Sequence, residues 1–80
     1  MIERRAAQRH RVLKQGLLAF DGGGGADCTV RSMSSSGARI DIENAAGLPT
    51  SFTLVIAADY FARHCHAVWS NDQQIGVAFD

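Results

Sequence analysis

Residues 38–42, Ala38-Arg39-Ile40-Asp41-Ile42 (ARIDI), alternate apolar and charged side chains without a break. A period of two sets Ala38, Ile40 and Ile42 on one face of a strand and Arg39 and Asp41 on the other. The same period extends in both directions. Upstream, DCTVR (27–31) opposes Cys28 and Val30 to Thr29 and Arg31, and a mainly apolar run from Val12 to Phe20 ends at Asp21. The glycines 22–25 that follow cannot pack a core and read as a hairpin connection. Downstream, Phe52, Leu54 and Ile56 mark a fourth strand. Cys65, Ala67 and Trp69, opposite His64, His66 and Val68, mark a fifth, and IGVAF (75–79) a sixth. Residues 32–37, 44–50 and 70–72 are polar or hold Gly and Pro, and read as loops and turns. Ala57 to Ala62 fits a helical turn and a loop equally.

Six short strands at regular spacing predict an antiparallel sandwich or small barrel. Closure is favoured, because a chain this short has nothing else with which to cover exposed sheet edges. The expected fold is therefore all-β: a six-stranded antiparallel β-barrel over residues 12–80, with a flexible basic N-terminal arm over residues 1–11. On this reading Trp69 fills the barrel, and Phe20, Phe52 and Phe79 also sit on apolar strand positions.

Eighty residues make one domain, 1–80, and a hydrophobic share of 46% argues against disorder. No apolar run approaches the ~20 residues of a membrane span, and the basic start has no apolar core behind it. Cytoplasmic placement with no membrane insertion is expected, with Cys28 and Cys65 as free, buried thiols. His64-Cys65-His66 does not suggest a metal: neighbouring strand residues point to opposite faces, and His64 and His66 alone do not close a zinc site. The glycine run lacks the Lys-Ser/Thr of a phosphate loop. Neither an enzyme nor a cofactor is expected.

Formal net charge is zero, with eight Lys plus Arg against eight Asp plus Glu, which argues against a broad nucleic-acid surface. The positive charge is nonetheless concentrated. Arg4, Arg5, Arg9, Arg11 and Lys14 lie together near the start, offset there only by Glu3. Such a local basic arm suits a small, highly charged ligand better than a long polyanion.

Two motifs sharpen that reading. RRAAQR (4–9) contains R-x-x-x-R as Arg5 and Arg9, and SMSSSG (32–37) leads directly into the ARI of the third strand. With the six-strand pattern and the ending VWSNDQQIGVAF (68–79), they resemble the PilZ domain, a bacterial receptor family for cyclic di-GMP. The resemblance runs from Glu3 to Phe79. It implies a ligand-binding set of Arg4, Arg5, Arg9, Ser32, Ser34 and Gly37.

The chemistry matches those residue types. Arginine's planar fork bonds phosphate oxygens bidentately, reads guanine O6 and N7 edge-on, and stacks on bases. Ser34 supplies a hydroxyl that donates and accepts. Gly37 permits a positive φ or close approach of a ligand. Ser32 stands where the family has Asp or Asn, so one hydrogen bond worth ~0.5–1.5 kcal/mol is lost and affinity falls by up to roughly tenfold. Arg4 matches an extra arginine that the family associates with two stacked nucleotides.

The implied function is a second-messenger receptor. Its arm orders over cyclic di-GMP and presents a changed surface to a downstream protein partner. The alternative is a degenerate PilZ-like interaction domain that binds no nucleotide, which Ser32 favours.

Overall fold

The computed structural model of the chain describes residues 10–80, so Arg4, Arg5 and Arg9 lie outside the described residues. Six strands follow one another: β1 His10–Ala19, β2 Gly25–Met33, β3 Gly37–Asp41, β4 Ser51–Ile56, β5 Phe61–Ser70 and β6 Gln74–Phe79. They close into an all-antiparallel barrel in the order β1-β2-β3-β6-β5-β4. Pairing of Leu17, Leu18 and Ala19 with Val55, Leu54 and Thr53 makes the closing seam between β1 and β4.

The alternation read from sequence is the packing. Leu18, Val30, Ile40, Phe52, Leu54 and Cys65 are fully enclosed, with Cys28, Ala38, Ile42, Ile56, Ile75 and Val77 beside them. Phe20 meets Phe52 edge-on, with ring centroids 6.4 Å apart, a favoured aromatic geometry. Residues 20–24 close the β1–β2 hairpin, the Phe20 amide donating to the Gly24 carbonyl at 3.1 Å. The ambiguous stretch after β4 is a single 3₁₀ turn, Ala57–Asp59, followed by Tyr60 in the left-handed region at φ 53°. Lys14 ties β1 to that turn through Asp59, at 2.7 Å.

Three expectations shift. The barrel begins at His10 rather than Val12, which puts Arg11 in a strand. Residues 32–37 are not all loop: β2 runs to Met33, and Ser32 is a strand residue only 4% exposed. Trp69 does not fill the barrel; it is 45% exposed. The cause for Trp69 is a register shift between Ala67 and Trp69. Val68 has no partner of its own there, so the inward–outward alternation slips by one and the indole emerges on the outer face.

Candidate functional site: a cleft built on strand bulges

The bulge beside Trp69 is one of three around one end of the barrel. β1 is irregular between Arg11 and Lys14, and β2 shifts register between Val30 and Ser32, leaving Arg31 as the extra residue. Together the shifts align a single row across five strands. Arg11 pairs with Ser32, Ser32 with Arg39, Arg39 with Gly76, and Gly76 with Trp69. Directly opposed residues share a face. The face is the outer one, because Gly76 lies between the inward Ile75 and Val77.

Gly76 is what lets the row close up. The Trp69 indole lies across its backbone, in the space that any Cβ at 76 would occupy. Beside it is a cleft of about 190 Å³ lined by Ser32, Ala38, Arg39, Val68, Trp69, Gly76 and Val77. It offers a hydroxyl, a guanidinium and an aromatic face within one concavity.

The turn of residues 34–36 borders this row and is organised by Ser34. Its amide donates to the Gly37 carbonyl at 2.9 Å, and its Oγ accepts from the amides of Ser36 and Gly37, each at 3.2 Å. Ser34 is thus already engaged in shaping the turn. Gly37 has no positive φ; the positive-φ glycines are Gly23, Gly24 and Gly47. Its close approach is to protein, because a Cβ at 37 would run into the Val77 carbonyl of β6.

Of the six residues that the motifs single out, the structure therefore places Ser32 in the row, Ser34 in the adjoining turn and Gly37 at the start of β3. The motifs leave out Arg39 and Trp69, and Arg11 enters the sequence reading only as part of the basic cluster. The strict alternation already put Arg39 on the outer face, whereas no single-residue signal announces a bulge.

A larger open groove, about 490 Å³, lies on another part of the barrel wall. Asp27, Asp41 and Glu43 line it with Gln15, Thr29 and three residues of the β5–β6 connection and β6. Three carboxylates facing one groove repel a phosphodiester, so its size does not make it the site for an anionic ligand.

The two thiols are inert by environment. Burial, reinforced by the Asp27 charge, pushes Cys28 up to about 11, and burial likewise pushes Cys65 to about 11. Both remain protonated at neutral pH and are poor nucleophiles. Among the described residues, no group of three or more His, Cys, Asp and Glu is arranged to hold a metal ion. No helix among them is long and apolar enough to cross a membrane.

A closed barrel with guanidinium, hydroxyl and indole groups gathered on one outer cleft has the architecture of a binding domain. The chain belongs to the PilZ domain family, whose family model matches residues 3–80. PilZ domains are generally receptors for cyclic di-GMP, binding modules rather than catalysts. No curated protein matches the sequence significantly.

Proposed function

We propose that this chain is a cyclic di-GMP receptor domain and that the cleft beside Trp69 is its base-binding floor. One observation carries the reading: the row Arg11–Ser32–Arg39–Gly76–Trp69 lies on one face, at the strand end from which the R-x-x-x-R segment leaves. A guanine stacks on the indole, an interaction worth ~1–3 kcal/mol per base. Arg39 and Arg11 meet phosphate, and Ser32 hydrogen-bonds the base edge.

At about 190 Å³ the cleft is smaller than the ~300–1,000 Å³ of a complete small-molecule pocket. Arg4, Arg5 and Arg9 supply the missing wall by closing over the ligand. The ordered arm then changes the surface offered to a protein partner in the cytoplasm. With Arg4 ahead of the motif, two stacked nucleotides occupy the site.

A second reading has specific support. Ser32 replaces the longer acceptor of the family, and the Ser34 hydroxyl is engaged within its own turn. On that reading the domain docks a protein without nucleotide. Calorimetric titration with cyclic di-GMP decides between them. A saturable isotherm with two nucleotides per chain supports the receptor. A flat isotherm to roughly 100 µM, beyond the micromolar range expected of such a site, supports the nucleotide-independent domain.

A further inference from the structure

On the outer wall of β5, next along from the Trp69 end of the row, His64 and His66 share one carboxylate. His64 Nδ1 lies 2.5 Å from Asp80 Oδ2 and His66 Nδ1 lies 2.7 Å from Asp80 Oδ1. Asp21, at the β1–β2 hairpin, approaches the other side of His64, at 3.7 Å from Nε2. The backbone of residue 80 is held as well. Its amide donates to the His64 carbonyl at 3.0 Å, and Arg63 donates to its carbonyl at 3.2 Å. Arg63 also lies over the Phe79 ring, 4.8 Å from its centroid.

The end of β6 is thus pinned to β5 on one side. On its other side it holds the serine turn, since the Phe79 amide donates to the Ser36 carbonyl at 2.8 Å. Ser36 in turn donates its amide to Ser34 Oγ. A short chain of bonded groups therefore runs from two imidazoles to the turn that joins β2 to β3. Of its links, the His64–carboxylate pair is the one that protonation tunes, the bond to Asp80 raising His64 above the usual imidazole value.

We propose that the His64–Asp80–His66 cluster is a proton-operated latch that fastens the end of β6 and, through Phe79, firms the turn of residues 34–36. Charge balance explains the operation. With His64 protonated, its positive charge lies between the carboxylates of Asp80 and Asp21, and its Nδ1–H···O bond to Asp80 is charge-assisted. When His64 loses its proton, two carboxylates remain around a neutral ring and the bond weakens.

Among the described residues, no further titratable group faces the cluster. The residues opposite His64 and His66 are Thr53 and Ser51 on β4 and, across from His66, Ala78 on β6. Arg63, on β5 itself, spends its donor on the backbone carbonyl.

The direction follows from the shifts. The hydrogen bond to Asp80 raises His64 above the usual 6.5, so its contribution is complete below 6.5 and fades as pH climbs through the raised value. The bonds from His64 and then His66 hold Asp80 below the usual 3.8, so its contribution is lost only as pH falls through that lowered value. The latch is fastened in mild acid and loosens with alkalinity.

Amide hydrogen exchange on the nucleotide-free protein tests this directly. After correction for intrinsic rates, protection at Phe79, Asp80 and Gly37 is expected to fall roughly three- to tenfold between about pH 6 and about pH 8.5, with Val30 and Ile40 unchanged. In H64Q/H66Q the drop disappears. Protection at Phe79 that is constant across this range in the wild-type protein overturns the latch. So does an undiminished drop in the double variant. The wild-type measurement alone suffices if the variant does not fold. Because no nucleotide is present, a failure here is distinguishable from a failure of the receptor reading.

Discussion

Two rows of outward side chains cross the same four strands. One runs Arg11–Ser32–Arg39–Gly76 and reaches Trp69 on β5; the other runs Gln15–Thr29–Asp41–Gln74. On β3 and β6 the rows are two residues apart, as a regular pleat requires. On β2 they are three apart and on β1 four, the surplus lying at the register shifts. The regular row contains one carboxylate, Asp41, held by Arg31 at 3.3 Å and by Gln74 at 2.9 Å. The bulged row instead ends in unlike groups crowded onto one cleft. Bulges re-aim side chains that a regular ladder would send inward, and here they set the cleft-lining row apart from an ordinary wall.

The comparison breaks most visibly at the aromatics. Phe52, fully buried in the core, should cost ~3–5 kcal/mol as Phe52→Ala, read as a lowered thermal midpoint. Trp69→Ala should behave oppositely. With its ring 45% exposed, it should leave the midpoint within the range of a surface change while weakening cyclic di-GMP by ~1–3 kcal/mol. Equal losses of stability in the two variants would return Trp69 to the core.

The second largest effect belongs to the arm. Arg5→Ala or Arg9→Ala should each cost ~1.5–3 kcal/mol of nucleotide binding, the range for charged hydrogen bonds, with an unchanged midpoint. Arg31→Ala, on the other side of the comparison, should lose only the ~0–1 kcal/mol of an exposed ion pair and leave binding alone. Calorimetry and thermal melts on the same samples separate the two.

These contrasts also mark what the sequence could disclose. Inward alternation at Cys28/Val30, Ala38/Ile40/Ile42 and Phe52/Leu54/Ile56 was fully legible, because burial enforces the two-residue period. Barrel closure followed from the shortage of anything else to cover an edge. A bulge leaves no such mark. Val68 is an unremarkable residue, and only the pairing of Ala67 with Val77 and of Trp69 with Gly76 reveals it as the extra one. From sequence, Trp69 therefore reads as core and Ser32, beyond the shift at Arg31, as loop. The motif singles out Gly37 for a ligand, whereas what the structure sets against it is the Val77 carbonyl, a contact between strands that are distant in sequence.

Ser32→Asn sharpens the bulged row by a smaller margin. The amide reaches further into the cleft than the hydroxyl and restores an acceptor, for a gain of ~0.5–1.5 kcal/mol, up to roughly tenfold in affinity. An affinity that is unchanged or weaker would mean that the missing acceptor is not what limits binding at this position.

The smallest effect comes from the regular row and concerns distance rather than contact. Asp41 stands two residues from Arg39 on the same face of β3, ~7 Å along the strand. A unit charge at that range in water contributes about 0.6 kcal/mol, and screening at physiological ionic strength removes roughly half. Asp41→Asn should therefore tighten cyclic di-GMP by no more than roughly twofold, and the gain should vanish in ~1 M salt, where the Debye length shrinks to ~3 Å. Loss of the Arg31 pair should cost at most ~1 kcal/mol of stability. A drop in affinity instead would place the ligand on the carboxylate side of the barrel, and the division of labour between the two rows would have to be reversed.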